Sequence, residues 1–61
     1  MRSVKEIRKS KGMSQAELGK LVGVKQGAIS HYERGTRTPD FLLAKKIAEA
    51  LNVPIGEIYF H

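Results

Sequence analysis

Apolar residues recur along this chain at the three- and four-residue spacing of short amphipathic helices, and glycine or proline follows most runs. In the first segment Val4 and Ile7 share one face among basic residues, which predicts a helix over residues 3–11. Gly12 is expected to end this helix, because glycine readily adopts the left-handed conformation found at helix C-termini.

A second helix is expected to begin at Ser14. Ser14 and Glu17 have the spacing of a capping box, in which each side chain accepts a hydrogen bond from the other residue's backbone amide. The apolar positions predicted to form its buried stripe are Leu18, Leu21 and Val22. Gly23 follows this stripe, so we expect it to adopt positive φ in a turn.

A third helix is predicted over residues 25–34, with Gly35 as its end. Its inward-facing positions are few: Ile29 and Tyr32 point toward the core, and Glu33 lies on the same side. The rest of its surface is polar or small, which leaves an outer face without large apolar side chains.

The last third of the chain predicts two further helices. Thr38 is expected to cap the first of them, with Pro39 in its first turn, and residues 52–54 to end it. Its inward-facing positions are Phe41, Ala44, Ile47, Ala48 and Leu51. A final short helix is predicted at residues 55–59. No strand alternation is visible, so the predicted fold class is all-α, with five short helices in one domain, residues 1–61.

The formal net charge of +5 is unevenly distributed along the chain. Residues 1–13 carry +4, residues 14–39 carry +2, and residues 40–61 carry −1. The first two-thirds of the sequence therefore offer a basic surface to a polyanion such as nucleic acid. Many small proteins carry a similar excess as ordinary solubilising charge, so charge alone leaves both interpretations open.

Composition argues against several other classes of function. The chain has no cysteine, and its two histidines, His31 and His61, are far apart, so no metal site and no cofactor is predicted. No apolar run approaches the ~18 residues of a membrane span, and no secretory signal is present, which indicates a cytoplasmic protein without a membrane partner. No nucleophile is paired with a histidine, so an enzyme is not expected.

The segment from Met13 to Gly35 resembles the helix-turn-helix of the Cro/phage-repressor family, also called the XRE family. The matching residues are Gln15, Ala16, Glu17, Leu18, Gly23, Ile29, Glu33 and Gly35, and the match continues through Pro39, Phe41 and residues 47–53. Gly19 departs from the pattern, because the family most often has alanine there. The resemblance implies a lambda-repressor-like fold, with the motif at residues 14–35, and a prokaryotic or phage-type regulator associated with the nucleoid.

A helix-turn-helix lays its second helix in the major groove of double-stranded DNA. The outer face of the third helix and the resemblance both indicate Gln26, Gly27, Ala28 and His31 as base contacts. Gln26 can bond adenine through both amide atoms, His31 can donate to guanine, and Ala28 can contact a thymine methyl group. The other interpretation is that Gln26 and His31 are ordinary exposed polar side chains.

Contacts to the DNA backbone are expected on both sides of this helix. The predicted residues are Ser14, Gln15, Lys25, Arg34, Thr36 and Arg37. The first two lie at the N-terminus of the second helix, where free amides and partial positive charge suit a phosphate. For each lysine and arginine the alternative is a solvated surface charge. The resemblance also implies a buried ion pair between Arg8 and Glu33 that joins the first and third helices.

The tail concentrates apolar residues in a chain too small to bury them all: Ile55, Ile58, Tyr59 and Phe60. They form the candidate dimer interface, because an exposed apolar patch often marks an interface and the resemblance implies a homodimer on a near-palindromic operator. The alternative is that they cover the core of one protomer, an interpretation that fits Ile55 and Ile58 better than Tyr59 and Phe60.

Two classes of function remain. The first is a transcriptional regulator, expected to be a repressor that needs no small-molecule effector. The second is a protein-binding module, such as an antitoxin-like protein that also holds a partner. The small and polar surface at residues 26–31 favours the first class, because protein interfaces more often present large apolar or aromatic anchors.

Overall fold

A computed structural model describes residues 1–60, and His61 lies outside the described residues. Within them the chain forms four α-helices: α1 (Val4–Ser10), α2 (Gln15–Val22), α3 (Gln26–Arg34) and α4 (Phe41–Leu51). A 3-10 turn at Ile55–Glu57 and two strands of two residues each, β1 (Arg2–Ser3) and β2 (Ile58–Tyr59), complete the fold. The prediction of an all-α protein is confirmed in its main features, whereas the fifth short helix expected at residues 55–59 is limited to the 3-10 turn at Ile55–Glu57.

The tail differs from its prediction because it pairs with the other end of the chain. After the single 3-10 turn, β2 runs parallel to β1, with Arg2 opposite Ile58 and Ser3 opposite Tyr59. Ile58 is buried and Tyr59 is exposed, which is the alternation of a strand. The pairing joins residues more than fifty positions apart, so the local periodicity of the tail does not reveal it.

Polar caps set the starts of α1 and α2. Ser3 and Glu6 form a capping box at α1, and Ser14 and Glu17 form another at α2. In the second box Ser14 Oγ accepts from the Glu17 amide at 3.0 Å, and Glu17 Oε1 accepts from the Ser14 amide at 2.8 Å. The predicted start of the second helix is therefore confirmed, and Gly23 ends it with a φ of 83° as expected.

The N-cap of α4 lies two residues later in the chain than predicted. Asp40, and not Thr38, is the N-cap: its Oδ1 accepts from the amide of Leu43 at 2.8 Å. Pro39 lies before the cap and is buried. A carboxylate directly ahead of Phe41 satisfies one free amide of the first turn and adds a favourable charge at the positive end of the helix.

The core lies where the four helices and the tail meet. Its fully buried side chains are Ile7, Leu18, Ile29, Ile47 and Leu51. Two predicted core positions are instead exposed: Leu21 by 62% and Phe41 by 70%. On α2 the buried arc includes Gly19, which places Leu21 roughly 100° from its centre. Phe41 is the first residue of α4, and it is exposed because the buried positions of this helix begin only at Ala44.

Gly19 lets α2 approach the chain that leads into α3. A methyl group at this position would lie 2.6 Å from the carbonyl oxygen of Val24, closer than side-chain carbons and backbone oxygens come in folded proteins. The Gly19 carbonyl in turn accepts from the amides of Gly23 and Val24, both at 2.9 Å. The departure from alanine at Gly19 therefore has a structural reason: this turn lies too close for a side chain.

Two helical glycines give a matched pair of substitutions. Gly19→Ala should lower the free energy of unfolding by about 1–3 kcal/mol, because the turn must move away from the new methyl group. Gly27→Ala should raise it by up to ~1 kcal/mol, since that position is helical and has nothing within 4 Å of the added carbon. Urea unfolding measures both changes, and a stabilised Gly19→Ala variant would contradict the close approach.

Candidate nucleic-acid interface

The turn between α2 and α3 sets the position of α3. Gly23 adopts the left-handed conformation that ends α2, and Lys25 is the N-cap of α3 without a side-chain hydrogen bond to that helix. Gly35 ends α3 with a φ of 77°, and its amide donates to the carbonyl oxygen of His31. α3 therefore begins and ends sharply, and its outer surface is short.

The carboxylate of Glu33 joins three helices. Glu33 Oε2 accepts from Arg8 Nε at 2.7 Å, and Oε1 accepts from Arg8 Nη2 at 3.1 Å and from Gln15 Nε2 at 3.0 Å. Arg8 Nη1 also donates to the carbonyl oxygen of Met13 at 2.7 Å. The side chains of Arg8 and Glu33 are only 8% and 2% exposed, so the ion pair expected between α1 and α3 is a buried, bidentate one.

Two opposing effects act on the pKa of Glu33. Burial taken alone would raise it, but hydrogen bonds from Arg8 and Gln15, together with the positive charges of Arg8 and Lys5, lower it overall. Glu33 is therefore held as a carboxylate near neutral pH. The stabilisation that this depressed pKa brings is present above the ordinary carboxyl pKa and is lost as the pH falls through the lowered value.

The same network reaches the start of α3. Gln15 donates to Glu33 through Nε2, which turns its Oε1 toward Gln26, and Gln26 Nε2 donates to that oxygen at 3.4 Å. This contact is long, but it points the amide of Gln26 in one direction. One hydrogen of Gln26 Nε2 and its Oε1 remain for a ligand.

The structure sorts the predicted base contacts into two groups. Gln26 and Gly27 are exposed at the first turn of α3, and His31 is half-buried one turn later. Ala28 is also half-buried, but it packs against the hydrophobic core. A methyl group directed toward the core is poorly placed to contact a base, so the structure does not group Ala28 with the other three.

Ser30 also lies on the outer face of α3, although it is not among the residues predicted from the sequence. With 3.6 residues per turn, the centre of the outer face of α3 is formed by Gly27, Ser30, His31 and Arg34, which follow the i, i+3, i+4, i+7 spacing. Ser30 Oγ accepts from Arg34 Nε at 3.2 Å and keeps its own hydrogen for another acceptor. The spacing of four small or polar residues around Ser30 was the signal available in the sequence.

Exposed basic residues lie at both ends of this face. Lys25 is exposed at the N-terminal end, and Arg34 and Arg37 are exposed at the C-terminal end. At the start of α2 the capping box occupies the amides of Ser14 and Glu17, which leaves those of Gln15 and Ala16 without an intrahelical acceptor. Thr36 is exposed as well, but its hydroxyl is hydrogen-bonded to His31.

The predicted tail residues separate into core and surface. Ile58 is buried, with 4% exposed, and Ile55 and Phe60 are half-buried and pack against the core. Tyr59 is 37% exposed. The burial of Ile58 favours the alternative that it covers the core of one protomer, since a side chain this buried has almost no surface to share with a partner.

Two further findings concern metal sites and membrane-spanning helices. Over residues 1–60, no three metal-ligating side chains of His, Cys, Asp or Glu lie close enough together to bind an ion. None of the described helices is long and apolar enough to cross a bilayer.

Comparison with known proteins agrees with this geometry. The family model described as helix-turn-helix matches residues 4–58. The chain belongs to the helix-turn-helix family. It is 37% identical over 57 residues to YgzD of Bacillus subtilis, described as an uncharacterised HTH-type transcriptional regulator, and the match covers 93% of this chain and 86% of YgzD.

Two further relatives extend the comparison. The chain is 29% identical over 55 residues to the cryptic phage CTXphi transcriptional repressor RstR of Vibrio cholerae, a match that covers 90% of this chain and 50% of RstR. The crystal structure of the restriction-modification controller protein C.AhdI of Aeromonas hydrophila matches with a TM-score of 0.85 and 33% identity, over 88% of this chain and 78% of that one. The resemblance to Cro and phage-repressor regulators is confirmed, and this helix-turn-helix protein is a DNA-binding transcriptional regulator by family.

Neutralising Glu33 tests the network. Glu33→Gln should lower the free energy of unfolding near pH 7 by roughly 3 kcal/mol, because Arg8 is left as a buried charge without its counter-ion. The difference from the parent protein should shrink below about pH 4.5, the ordinary glutamate value, as the parent protonates Glu33 and loses the same interaction.

Urea unfolding near pH 7 and below about pH 4.5 measures this difference in the free energy of unfolding. The matched control is the double variant Arg8→Met, Glu33→Gln, which carries no unpaired charge and should recover part of the lost stability. An unchanged midpoint in Glu33→Gln at neutral pH would contradict a structural role for the ion pair.

Proposed function

We propose that this protein is a sequence-specific transcriptional repressor that binds a near-palindromic operator as a homodimer and inserts α3 into the major groove. The observation that carries the proposal is the chain of hydrogen bonds from Glu33 through Gln15 to Gln26. It orients an exposed amide at the first turn of α3, where a recognition helix contacts base edges. An amide held in this way loses less conformational freedom when it binds.

Gln26 is the principal base contact in this proposal. Its Oε1 accepts from adenine N6 and one Nε2 hydrogen is donated to adenine N7, while the other hydrogen stays on Gln15. Gly27 carries no side chain and is exposed, so in this proposal the backbone of α3 approaches the floor of the groove there. His31 and Ser30 lie one turn further along the groove.

Phosphates are held on both sides of the groove. At one side Ser14 keeps its hydroxyl hydrogen, and the amides of Gln15 and Ala16 are directed outward with the positive end of α2. Lys25 is exposed at the start of α3, next in the chain to Gln26, which contacts Gln15. At the other side Arg34 and Arg37 supply ionic contacts. These groups position the helix without reading sequence.

The size of one protomer supports the dimer in this proposal. The principal extents of the described Cα positions are 23 × 22 × 19 Å, whereas successive major grooves on one face of the duplex are ~34 Å apart. One protomer therefore reads a single half-site, and a second copy is needed to read the next. In the proposal the copies meet at the tail through Tyr59, which is 37% exposed, and the half-buried Phe60.

Two substitutions separate reading of bases from binding of phosphates. Gln26→Ala should weaken binding to the preferred operator by ~1–3 kcal/mol and relax preference at one base pair in each half-site. Arg37→Ala should weaken binding to all sequences alike and reduce the salt dependence by about one ion per protomer. Fluorescence anisotropy on operator and random duplexes over a range of salt measures both. Equal losses on the two duplexes for Gln26→Ala would contradict base reading.

The tail interface is best tested by a point substitution, because deleting residues from Tyr59 onward would also remove the β-pairing with Ser3. Tyr59→Lys keeps the strand and places a charge on the proposed contact, so it should shift sedimentation toward monomer and lower operator affinity. Leu42→Lys is the matched control, because Leu42 is 71% exposed on α4 and outside the tail. A monomeric Leu42→Lys variant with a dimeric Tyr59→Lys variant would place the interface elsewhere.

A second candidate function is capture of a partner protein. It is favoured by the exposure of Leu21, Phe41 and Leu42, at 62%, 70% and 71%, which gives α2 and α4 apolar side chains that could anchor a partner. None of the three lies on α3, so this surface would act beside DNA binding and not in place of it. Selection of bound sites from random duplex DNA distinguishes the candidates: a palindromic consensus supports the first, and absence of enrichment supports the second.

A further inference from the structure

The C-terminal end of α3 closes on the side chain of Thr36. The hydroxyl of Thr36 donates to the carbonyl oxygen of His31 at 3.3 Å, and the amide of Thr36 donates to the same oxygen at 3.1 Å. The Thr36 Oγ1 also lies 2.7 Å from His31 Nδ1. Thr36 therefore contacts the histidine twice through its side chain, once at the backbone and once at the ring.

The hydroxyl has a single hydrogen, and this limits the arrangements of protons. With that hydrogen directed at the His31 carbonyl, the lone pairs of Oγ1 face the imidazole, and Nδ1 carries the hydrogen between them. A neutral imidazole has only one N–H group, so Nε2 is then unprotonated and accepts hydrogen bonds.

Nε2 of His31 is the atom left for a ligand. It forms no hydrogen bond within the described residues, and no buried side-chain nitrogen or oxygen there lacks a partner. Nε2 is therefore in contact with solvent, on the outer face of α3 beside Ser30 and Arg34.

We propose that His31 is a specificity-determining acceptor: Thr36 holds it in the Nδ1–H tautomer, and Nε2 takes an amino hydrogen of cytosine or adenine in the major groove. The proposal rests on the function proposed above, with α3 in that groove. Cytosine N4 and adenine N6 are the donors that the major groove offers, whereas guanine N7 and O6 are acceptors. Phosphate oxygens are acceptors too, so a neutral His31 in this tautomer reads bases and does not bind the backbone.

This arrangement of protons reverses the role expected for His31 from the sequence, which was donation to guanine. It also gives Thr36 a different task from the predicted phosphate contact. Thr36 is a positioning residue: its hydroxyl selects the tautomer, and the histidine contacts the base.

The tautomer can be tested without DNA. Long-range proton–nitrogen correlation spectra of the nitrogen-15-labelled protein at pH 8 distinguish a protonated ring nitrogen from an unprotonated one by chemical shift. We expect Nδ1 of His31 to be the protonated nitrogen in the parent protein and in Thr36→Ser, which keeps the hydroxyl, and to lose this preference in Thr36→Val. An Nε2–H tautomer in the parent protein would overturn the proposal, whatever the DNA results.

Selection from random duplex DNA tests the specificity. The base pair read by His31 is the one at which His31→Ala loses preference, and we expect cytosine or adenine to face the histidine there. Thr36→Val should reduce that preference about fivefold at this position alone, and Thr36→Ser should retain it. Urea midpoints near that of the parent protein control for folding.

The outcomes separate the two proposals. Enrichment of a palindrome with guanine or thymine facing His31 would overturn the acceptor role and leave the proposed repressor function standing. Absence of any enriched site would overturn the proposed function and the role of His31 in reading DNA together, even with the expected tautomer.

Discussion

The buried carboxylate of Glu33 is the constraint on which the arrangement of the helices depends. A charge with so little exposure must be paired, and its two oxygens accept three hydrogen bonds from Arg8 on α1 and Gln15 on α2. Each bond has a narrow range of distance and angle, so the three helices cannot shift independently. Such a pair contributes less to net stability than to geometry, because desolvation offsets much of its attraction.

Geometry matters here because the outer face of α3 has few functional groups. Gly27 offers no side chain, and Ala28 is turned toward the core. The two side chains proposed to read bases each contact a neighbour: Gln26 donates to Gln15, and the ring of His31 lies against the hydroxyl of Thr36. A short recognition surface of this kind depends on the placement of each group, on phosphate contacts and on the shape of the duplex.

The two ends of the chain are joined in a way that links stability to the proposed dimer. β1 contains Ser3, the N-cap of α1, and β2 carries Ile58 into the core with Tyr59 at the surface. A contact made by Tyr59 with a second copy would therefore act on a strand that is paired to the start of α1. α1 also carries Arg8, so the strand pair and the hydrogen bonds to Glu33 are joined through this helix.

The sequence alone determined the four α-helices, the capping box at Ser14, the glycine turn and the resemblance to Cro-type regulators, because these depend on residues a few positions apart. Tertiary structure decided what long-range packing controls. It paired residues 58–59 with residues 2–3, exposed Leu21 and Phe41, and turned Ala28 inward. Thr36 and His31 are only five residues apart and meet in the turn at Gly35, but spacing does not specify which acceptor takes the single hydroxyl hydrogen, because that depends on the groups around it in space.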